Sequence, residues 1–323
     1  MAGAQTGTAD QPLLLGELAQ ATLRAQLEQL VHSEPAVRQG EVGEPIHQMR
    51  VATRRLRAAL RLFEPALPVD VDALRDELAW LASKLGAVRD LDIQLAALGQ
   101  AAAALDAPPT AAATLLAWFR ARHAAARQEL TEALEQTRYT AIVAALGALE
   151  AQSPADWAGP ARAPALETLP ALVRRRYRRL RKASRDLAPS SPAADLHRAR
   201  IRAKQLRYSL EFVAELYGKP ARRMIRRAVG VQDALGAIQD AVVLEQQLAS
   251  LSLAGHELPP PSVFLAGQLA EHIAGQAAVA REAVPSACRR VRGRTWRRLR
   301  RRLLARRGGG PQAGLEEVGG LHG

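Results

Sequence analysis

Hydrophobic residues along the chain recur every three to four positions, a spacing typical of amphipathic helices. Alanine, leucine, arginine, glutamate and glutamine dominate, proline and glycine supply the breaks, and no segment shows the sustained alternation of a half-buried strand. The pattern predicts an all-α protein with eight helices. The predicted ranges are 12–32, 45–64, 70–103, 111–150, 166–187, 193–217, 220–252 and 262–306.

The predicted helices form two groups of four, and the two groups share sequence motifs. Residues 46–57 align without a gap with residues 196–207, and Leu-Gly-x-x-x-Asp at 85–90 aligns with the same motif at 235–240, both at an offset of 150 residues. Two motifs that repeat at one offset indicate an internal duplication. We predict a first half at 12–152, a linker at 153–165, a second half at 166–307 and disordered ends at 1–11 and 308–323.

Basic residues of the repeated motif lie on one face of each predicted helix. At about 100° per residue the first set spans an arc of roughly 80°, and at about 1.5 Å per residue it forms a ridge about 20 Å long. Like charges one turn apart repel, so a ridge of this kind is unfavourable unless an anion meets it. The first ridge is His47, Arg50, Arg54, Arg57 and Arg61, and the second is His197, Arg200, Lys204 and Arg207, followed by Glu211.

The charge balance points to a polyanionic partner. Lys+Arg total 45 against 32 for Asp+Glu, a formal net charge of +13, and nearly all of the cations are arginine, whose forked guanidinium matches phosphate oxygens. A further stripe that includes Arg174 and Arg178 precedes the second ridge and adds positive potential to that half. The eleven arginines between Arg289 and Arg307 are spread around their helix, which favours a solvated or non-specific anion-binding segment.

Other classes of protein fit the sequence poorly. The single Cys288 rules out an intramolecular disulfide and a cysteine metal cluster, no apolar run reaches the length of a membrane span, and the start of the chain does not resemble a secretory signal. We expect a cytoplasmic protein that is not bound to a membrane. No phosphate-binding glycine loop, dinucleotide fingerprint or hydrolase motif occurs. We therefore expect no catalytic residues, no cofactor and no metal.

Two sets of titratable residues have more than one interpretation. Asp90, Asp92 and Asp240 could act as acid–base groups or metal ligands, but pairing with arginines of the ridges is the favoured interpretation. His47 and His197 head the two ridges. They either cap or pack the starts of their helices, or take up a proton when a polyanion binds.

The paired segments His-x-x-Arg-Val-x-x-Arg-Arg-Leu-Arg at 47–57 and His-x-x-Arg-Ile-x-x-Lys-x-Leu-Arg-Tyr at 197–208, with the two Leu-Gly-x-x-x-Asp motifs, resemble the CHAD domain, the conserved histidine α-helical domain. The resemblance spans about residues 12–307. It implies two four-helix bundles related by a pseudo-twofold axis around a basic central groove, with inorganic polyphosphate as ligand. It also implies that the protein is located at cytoplasmic polyphosphate granules and that other proteins of those granules are among its partners. The Glu-x-Glu-x-Lys motif of the triphosphate-tunnel (CYTH) domain, a frequent fusion partner in the family, is missing from the sequence, so we expect a standalone domain.

The resemblance also assigns binding residues. It adds Arg55 to the first ridge, whereas Gln205 stands at the matching position of the second, so one contact is weaker there. The predicted polyphosphate-binding residues are His47, Arg50, Arg54, Arg55, Arg57, Arg61, His197, Arg200, Lys204, Arg207, Arg174 and Arg178.

Two alternatives to polyphosphate binding remain open. A nucleic-acid-binding protein would have a similar charge, but aromatics make up only 4% of the chain and Tyr208 is the one aromatic residue near a ridge, which leaves few platforms for base stacking. A granule scaffold that recruits another enzyme is compatible with polyphosphate binding.

Overall fold

The computed structural model of this chain describes residues 12–41, 43–157, 159–253 and 258–307. These residues form helices joined by turns, and the predicted all-α class is confirmed. They contain no β-strand, only an isolated bridge between Leu14 and Pro164. None of the described helices has both the length and the apolar character that a membrane span requires. The ends predicted to be disordered, 1–11 and 308–323, lie outside the described residues.

The first half contains five α-helices in the described ranges, where four were predicted. They are α1 (Leu15–Arg38), α2 (Glu44–Phe63), α3 (Asp72–Ala104), α4 (Pro109–Glu135) and α5 (Thr137–Ala151). Helix α1 runs past its predicted end at residue 32 and holds Pro35 near its C-terminus. The helix predicted at 111–150 is divided, because Gln136 has an extended backbone (φ −70°, ψ 147°) that no helix can continue through.

The second half contains seven α-helices in the described ranges. They are α6 (Ala165–Ser184), α7 (Ala193–Glu211), α8 (Ala214–Tyr217), α9 (Lys219–Leu253), α10 (Pro260–Glu282), α11 (Val284–Arg290) and α12 (Arg294–Ala305). The helix predicted at 262–306 is in fact three, because Pro285 lies in the first turn of α11 and Gly293, with a positive φ of 62°, is the N-cap of α12. The helix predicted at 193–217 likewise ends early, at Glu211, and α8 follows it.

One hydrophobic core runs through both halves. It includes Leu56 of α2 and Leu85 of α3 from the first half, and Leu206 of α7 and Leu235 of α9 from the second, all at most 2% exposed. Because these side chains pack in one cluster, each half covers apolar surface of the other.

The predicted linker packs against the start of α1. Trp157 is 1% exposed and belongs to the shared core. The backbone amide of Leu15 donates to the carbonyl of Ala163 at 2.9 Å, and the amide of Ala165 donates to that of Leu13 at 2.8 Å. These contacts tie the connecting segment to the N-terminal end of the described chain.

A second, smaller core joins α3 and α4 of the first half to α9 and α10 of the second. It includes Leu98, Phe119, Leu244 and Leu269. Helices α3 and α9 each contribute to both cores, and the two aspartates of the repeated motif, Asp90 and Asp240, lie along the helices between these contributions. The carboxylates are therefore bracketed by packed apolar side chains on both sides.

Candidate anion-binding site

Helices α2 and α7 contact each other and present cations along this contact. On α2 the apolar positions Ile46, Met49, Leu56 and Leu60 are at most 2% exposed, and they alternate at helical spacing with the basic positions. Burial of the apolar face therefore fixes where the basic face points. Burial of Leu206 orients α7 in the same way.

Four cations meet where α2 and α7 cross. We call them the central cluster: Arg50, Arg54, Arg200 and Lys204. Burial of its amino group, and then repulsion from these three arginines, lowers the pKa of Lys204 to about 8. Burial and then repulsion from Arg54 also lower the pKa of Arg50. The central cluster thus carries mutual repulsion between cations of the two halves.

Two carboxylates lie against the central cluster at matching positions of the repeat. An Nη2 atom of Arg50 lies 3.4 Å from an Oδ1 atom of Asp90, and the corresponding atoms of Arg200 and Asp240 are 3.9 Å apart. Burial raises the pKa of Asp240, Arg200 opposes this shift, and the nearby Asp90 adds to it. Four cations therefore face two carboxylates, a surplus of positive charge. The Nε groups of Arg54 and Arg200 have no hydrogen-bond acceptor among the described residues.

Glycine in the second Leu-Gly-x-x-x-Asp motif makes room for an arginine of the site. A Cβ atom at Gly236 would lie 3.3 Å from Nη2 and 3.4 Å from Nε of Arg200, so the guanidinium lies directly on the backbone of α9. Its counterpart Gly86 has open space at the same position. The sequence repeat showed that both motifs have a glycine at this position. It did not show that the glycine of the second motif contacts an arginine.

Two predicted contact residues are already paired with an acid. Arg55 of α2 donates to Glu211 of α7 at 3.0 Å, and the Nε group of Arg207 donates to the other oxygen of Glu211 at 2.6 Å. Arg207 also donates to the side-chain oxygen of Gln232 at 3.3 Å. Through these ion pairs, Glu211 offsets positive charge at the C-terminal end of the second ridge.

The last two arginines of the first ridge lie away from the central cluster. Arg57 is exposed and has Arg75 and Asp76 of α3 among its charged neighbours. Arg61, also exposed, lies near arginines of α6. The first ridge thus extends from the central cluster toward α6, and only its first half faces α7.

The arginines of α6 that approach α2 differ from those predicted. Arg175, Arg176 and Arg179 line one space with Arg61, whereas the predicted Arg174 and Arg178 do not line it. At about 100° per residue, Arg174 and Arg178 lie more than 90° around the helix from the mean direction of the other three. They face away from α2, because the buried residues of α6 fix the rotation of the helix.

The two histidines do not cap their helices. The N-cap positions are Gly43 for α2 and Pro192 for α7, so His47 and His197 lie within the second turn. His47 is half-buried and His197 is exposed. Neither imidazole makes a hydrogen bond or an ion pair with another described residue, so both remain available to a ligand.

The prediction that aspartates pair with arginines of the ridges is confirmed for Asp90 and Asp240 and wrong for Asp92. An Oδ1 atom of Asp92 lies 2.9 Å from Nε2 of His123, and the other oxygen lies 3.4 Å from Arg89, which is not on a ridge. The sequence context of His123 is not repeated, which predicts a surface or hydrogen-bonded histidine, and the contact with Asp92 agrees with the second of these. Among the described residues, no three His, Cys, Asp or Glu side chains are grouped as metal ligands would be.

The fold resembles solved structures over most of its length. The crystal structure of the CHAD domain from the plant Ricinus communis superposes with a TM-score of 0.72 at 30% sequence identity, covering 88% of this chain and 95% of that one. PptA from Streptomyces chartreusis superposes with a TM-score of 0.68 at 22% identity, covering 85% and 99%, and at this identity the likeness shows the fold alone.

Sequence comparison agrees with the structural likeness. The uncharacterized proteins MT2285 and Rv2226 of Mycobacterium tuberculosis are each 29% identical over 278 residues, which is 82% of this chain and 51% of theirs, so the chain spans about half the length of these relatives. The family model of the CHAD domain matches residues 21–249, well over half of the chain. The chain therefore belongs to the CHAD domain family.

Proposed function

We propose that this chain binds inorganic polyphosphate at the central cluster and does so without catalysis. The observation that carries the proposal is the meeting of Arg50 and Arg54 with Arg200 and Lys204, cations of two halves that face only two carboxylates. A linear polyanion that lies between α2 and α7 would contact both pairs at once. Such contacts release counterions from the polyanion, as in nucleic-acid binding.

We propose further that the two halves arose by internal duplication and enclose a basic groove. The equivalent pairs Arg50–Asp90 and Arg200–Asp240 support this, because each lies at the same offset in the repeat and both belong to one electrostatic network. The CHAD family is associated with polyphosphate binding, which supports the choice of ligand.

The choice of polyphosphate over nucleic acid rests on the poor stacking platform that the second ridge offers. Tyr208, the aromatic residue that follows Arg207 on this ridge, is only 5% exposed and lies under the guanidinium of Arg207 at 5.4 Å. A base cannot stack on a ring that is covered in this way. Contacts with phosphate oxygens alone favour the ligand with the higher charge per unit length and the smaller bulk for each phosphate.

A competition across salt concentrations tests this proposal. Long-chain polyphosphate, single-stranded DNA and duplex DNA are titrated at equal phosphate concentration in a salt series. We expect polyphosphate to bind most tightly at every salt concentration, with a steep log–log dependence on salt. Nucleic acid that binds as tightly at physiological salt would overturn the proposal.

We also propose that this binding directs the chain to polyphosphate granules in the cytoplasm, where it acts as an anchor for other granule proteins. A fluorescent fusion should then colocalise with granules, and variants of the central cluster should disperse it at unchanged protein level. Colocalisation that survives loss of polyphosphate binding would assign the targeting to another surface.

A further inference from the structure

The two ridges end differently, although their last residues are equivalent in the repeat. Arg61 and Glu211 are separated by the same offset of 150 residues as the other matched positions. Glu211 takes part in ion pairs with Arg55 and Arg207, whereas Arg61 faces further arginines. The pseudo-symmetry of the charges therefore breaks at this end of α2.

A pocket of about 220 Å³ lies between the C-terminal end of α2 and the side of α6. Its floor is partly apolar, and Glu64 is the one carboxylate among its lining residues. We call it the arginine pocket after its basic lining residues, Arg61, Arg175, Arg176 and Arg179.

The arginine pocket has a surplus of positive charge, because four arginines and one carboxylate line it. Burial, and then repulsion from the surrounding arginines, lowers the pKa of Arg176 to about 10, and no carboxylate counts among the causes. The repelling arginines are Arg179, Arg61, Arg175 and Arg202. Arg179 shows the same pattern of burial followed by repulsion from other arginines. A group of this kind is unfavourable until an anion enters it.

A structural role explains only one of these arginines. An Nη2 atom of Arg176 donates to the main-chain carbonyl oxygen of Arg61 at 3.1 Å, which satisfies a free acceptor near the end of α2. This bond accounts for the position of Arg176. It does not account for Arg61, Arg175 and Arg179, which line the same space.

The ridge of α2 connects the central cluster to this pocket. Arg54 and Arg61 are seven residues apart on one face of α2, a rise of about 10.5 Å. A linear polyanion that follows this face from the central cluster would reach the pocket. At the equivalent end of α7 the carboxylate of Glu211 would repel it.

We propose that the arginine pocket binds the terminal phosphate group of a linear phosphate chain, either the end of a polyphosphate or a free short oligophosphate. The inference extends the proposed function, and it gives the bound chain a fixed direction along α2. A terminal phosphate has a second ionisation with a pKa of about 6, so it carries about two charges at neutral pH, whereas an internal phosphate carries one. Several guanidinium forks around one space match the terminal group better.

Two short phosphates and two charge-matched variants test the proposal. Linear tripolyphosphate has terminal groups and cyclic trimetaphosphate has none, and each is titrated by calorimetry at low salt. The pocket variant Arg175→Gln with Arg179→Gln keeps the hydrogen bond of Arg176. The control variant Arg174→Gln with Arg178→Gln removes the same charge from the opposite face of α6.

We expect tripolyphosphate to bind the parent chain at least about tenfold more tightly than trimetaphosphate. The pocket variant should lose about tenfold or more of the affinity for tripolyphosphate, and the control variant less than about threefold. Equal binding of the linear and cyclic phosphates, or equal losses in the two variants, would overturn the inference.

A third variant separates this inference from the proposed function. Lys204→Gln lies in the central cluster and should reduce binding of long-chain polyphosphate while leaving tripolyphosphate affinity within about threefold of the parent. Long-chain binding unaffected by Lys204→Gln would refute the proposed function but leave the pocket standing. Long-chain polyphosphate with blocked ends then distinguishes the end of a polyphosphate from a free oligophosphate as the source of the terminal phosphate. Blocking the ends lowers the affinity of the long chain only if the pocket binds a chain end.

Discussion

Arg55 of α2 donates a hydrogen bond of 3.0 Å to Glu211 of α7, an ion pair that joins the two halves of the chain. Glu211 also binds Arg207, so one acid occupies two arginines that polyphosphate would otherwise contact. The free protein is therefore stabilised at this point by a group that would compete with the proposed ligand.

The first prediction follows from this competition. Glu211→Gln should raise the affinity for polyphosphate about fivefold at low salt, because it frees two guanidiniums and removes a repelling charge. The same change should lower the free energy of unfolding by about 1 kcal/mol, since the ion pairs are lost. Calorimetric titration and urea unfolding measure the two effects. Glu215→Gln, at an exposed acid paired with Arg222, provides the control with equal charge change.

The second prediction concerns Lys204 and pH. The pKa of this group is lowered to about 8 in the free protein, so the amine loses its proton as the pH rises through 8. A bound polyanion favours the charged form, and affinity should fall about tenfold between pH 7 and 9 if the amine stays protonated in the complex. Lys204→Arg remains charged over this range and should flatten the profile. An unchanged profile in Lys204→Arg would assign the effect to another group.

The third prediction concerns the central cluster against the other arginines. Arg54→Gln with Lys204→Gln should weaken polyphosphate binding about 100-fold at low salt and reduce the slope of the log–log salt plot by about two. Arg298→Gln with Arg301→Gln on α12 removes the same net charge and should cost about threefold. If both pairs weaken binding equally, the protein binds through its overall charge, and the repeated ridges are only structural.

The fourth prediction uses the two glycines of the repeated motif. Alanine is more favourable than glycine in a helix interior. Gly86→Ala and Gly236→Ala should therefore each change the free energy of unfolding by no more than about 1 kcal/mol, mainly by raising it. Only Gly236→Ala displaces the guanidinium of Arg200, and only this variant should lose polyphosphate affinity, by about threefold. Thermal unfolding and titration of both variants provide the check, and equal affinities would refute the role of Gly236.

The fifth prediction concerns the two histidines. Neither caps its helix, which leaves proton uptake on binding as the alternative to a purely steric role. Affinity for polyphosphate measured from pH 6 to 7.5 should fall as the pH rises, and His47→Gln with His197→Gln should remove this dependence. A dependence that persists in the double variant, or a flat parental profile, would exclude proton uptake by these residues.

The sequence predicted the helical elements well where glycine and proline mark their ends. It missed the break at Gln136, because neither neighbour is a proline or glycine and the surrounding pattern continues as helix. It also passed over Pro285 and Gly293 within the last predicted helix, although a proline and a glycine mark those breaks. The break at Gln136 has no such mark, and hydrophobic periodicity does not show it.

The candidate site could be predicted only to the extent that helical periodicity assigns residues to the faces of their helices. Periodicity grouped Arg50 with Arg54, and the repeat matched them with Arg200 and Lys204, all of which meet in the structure. On α6 the arginines surround most of the helix, so periodicity could not distinguish Arg174 from Arg176 as the one that faces α2. That choice depends on which apolar residues of α6 enter the shared core.

The shared core, which includes Trp157, also means that the repulsion among the cations of the central cluster is already present in the free, folded protein. Because both halves pack into one cluster, the like-charged side chains are brought together as the chain folds, before any ligand arrives. We therefore expect the proposed binding to require little reorganisation of the backbone, which would lower its entropic cost. A polyanion that binds only the folded chain would in turn raise its melting temperature, by more as its concentration increases.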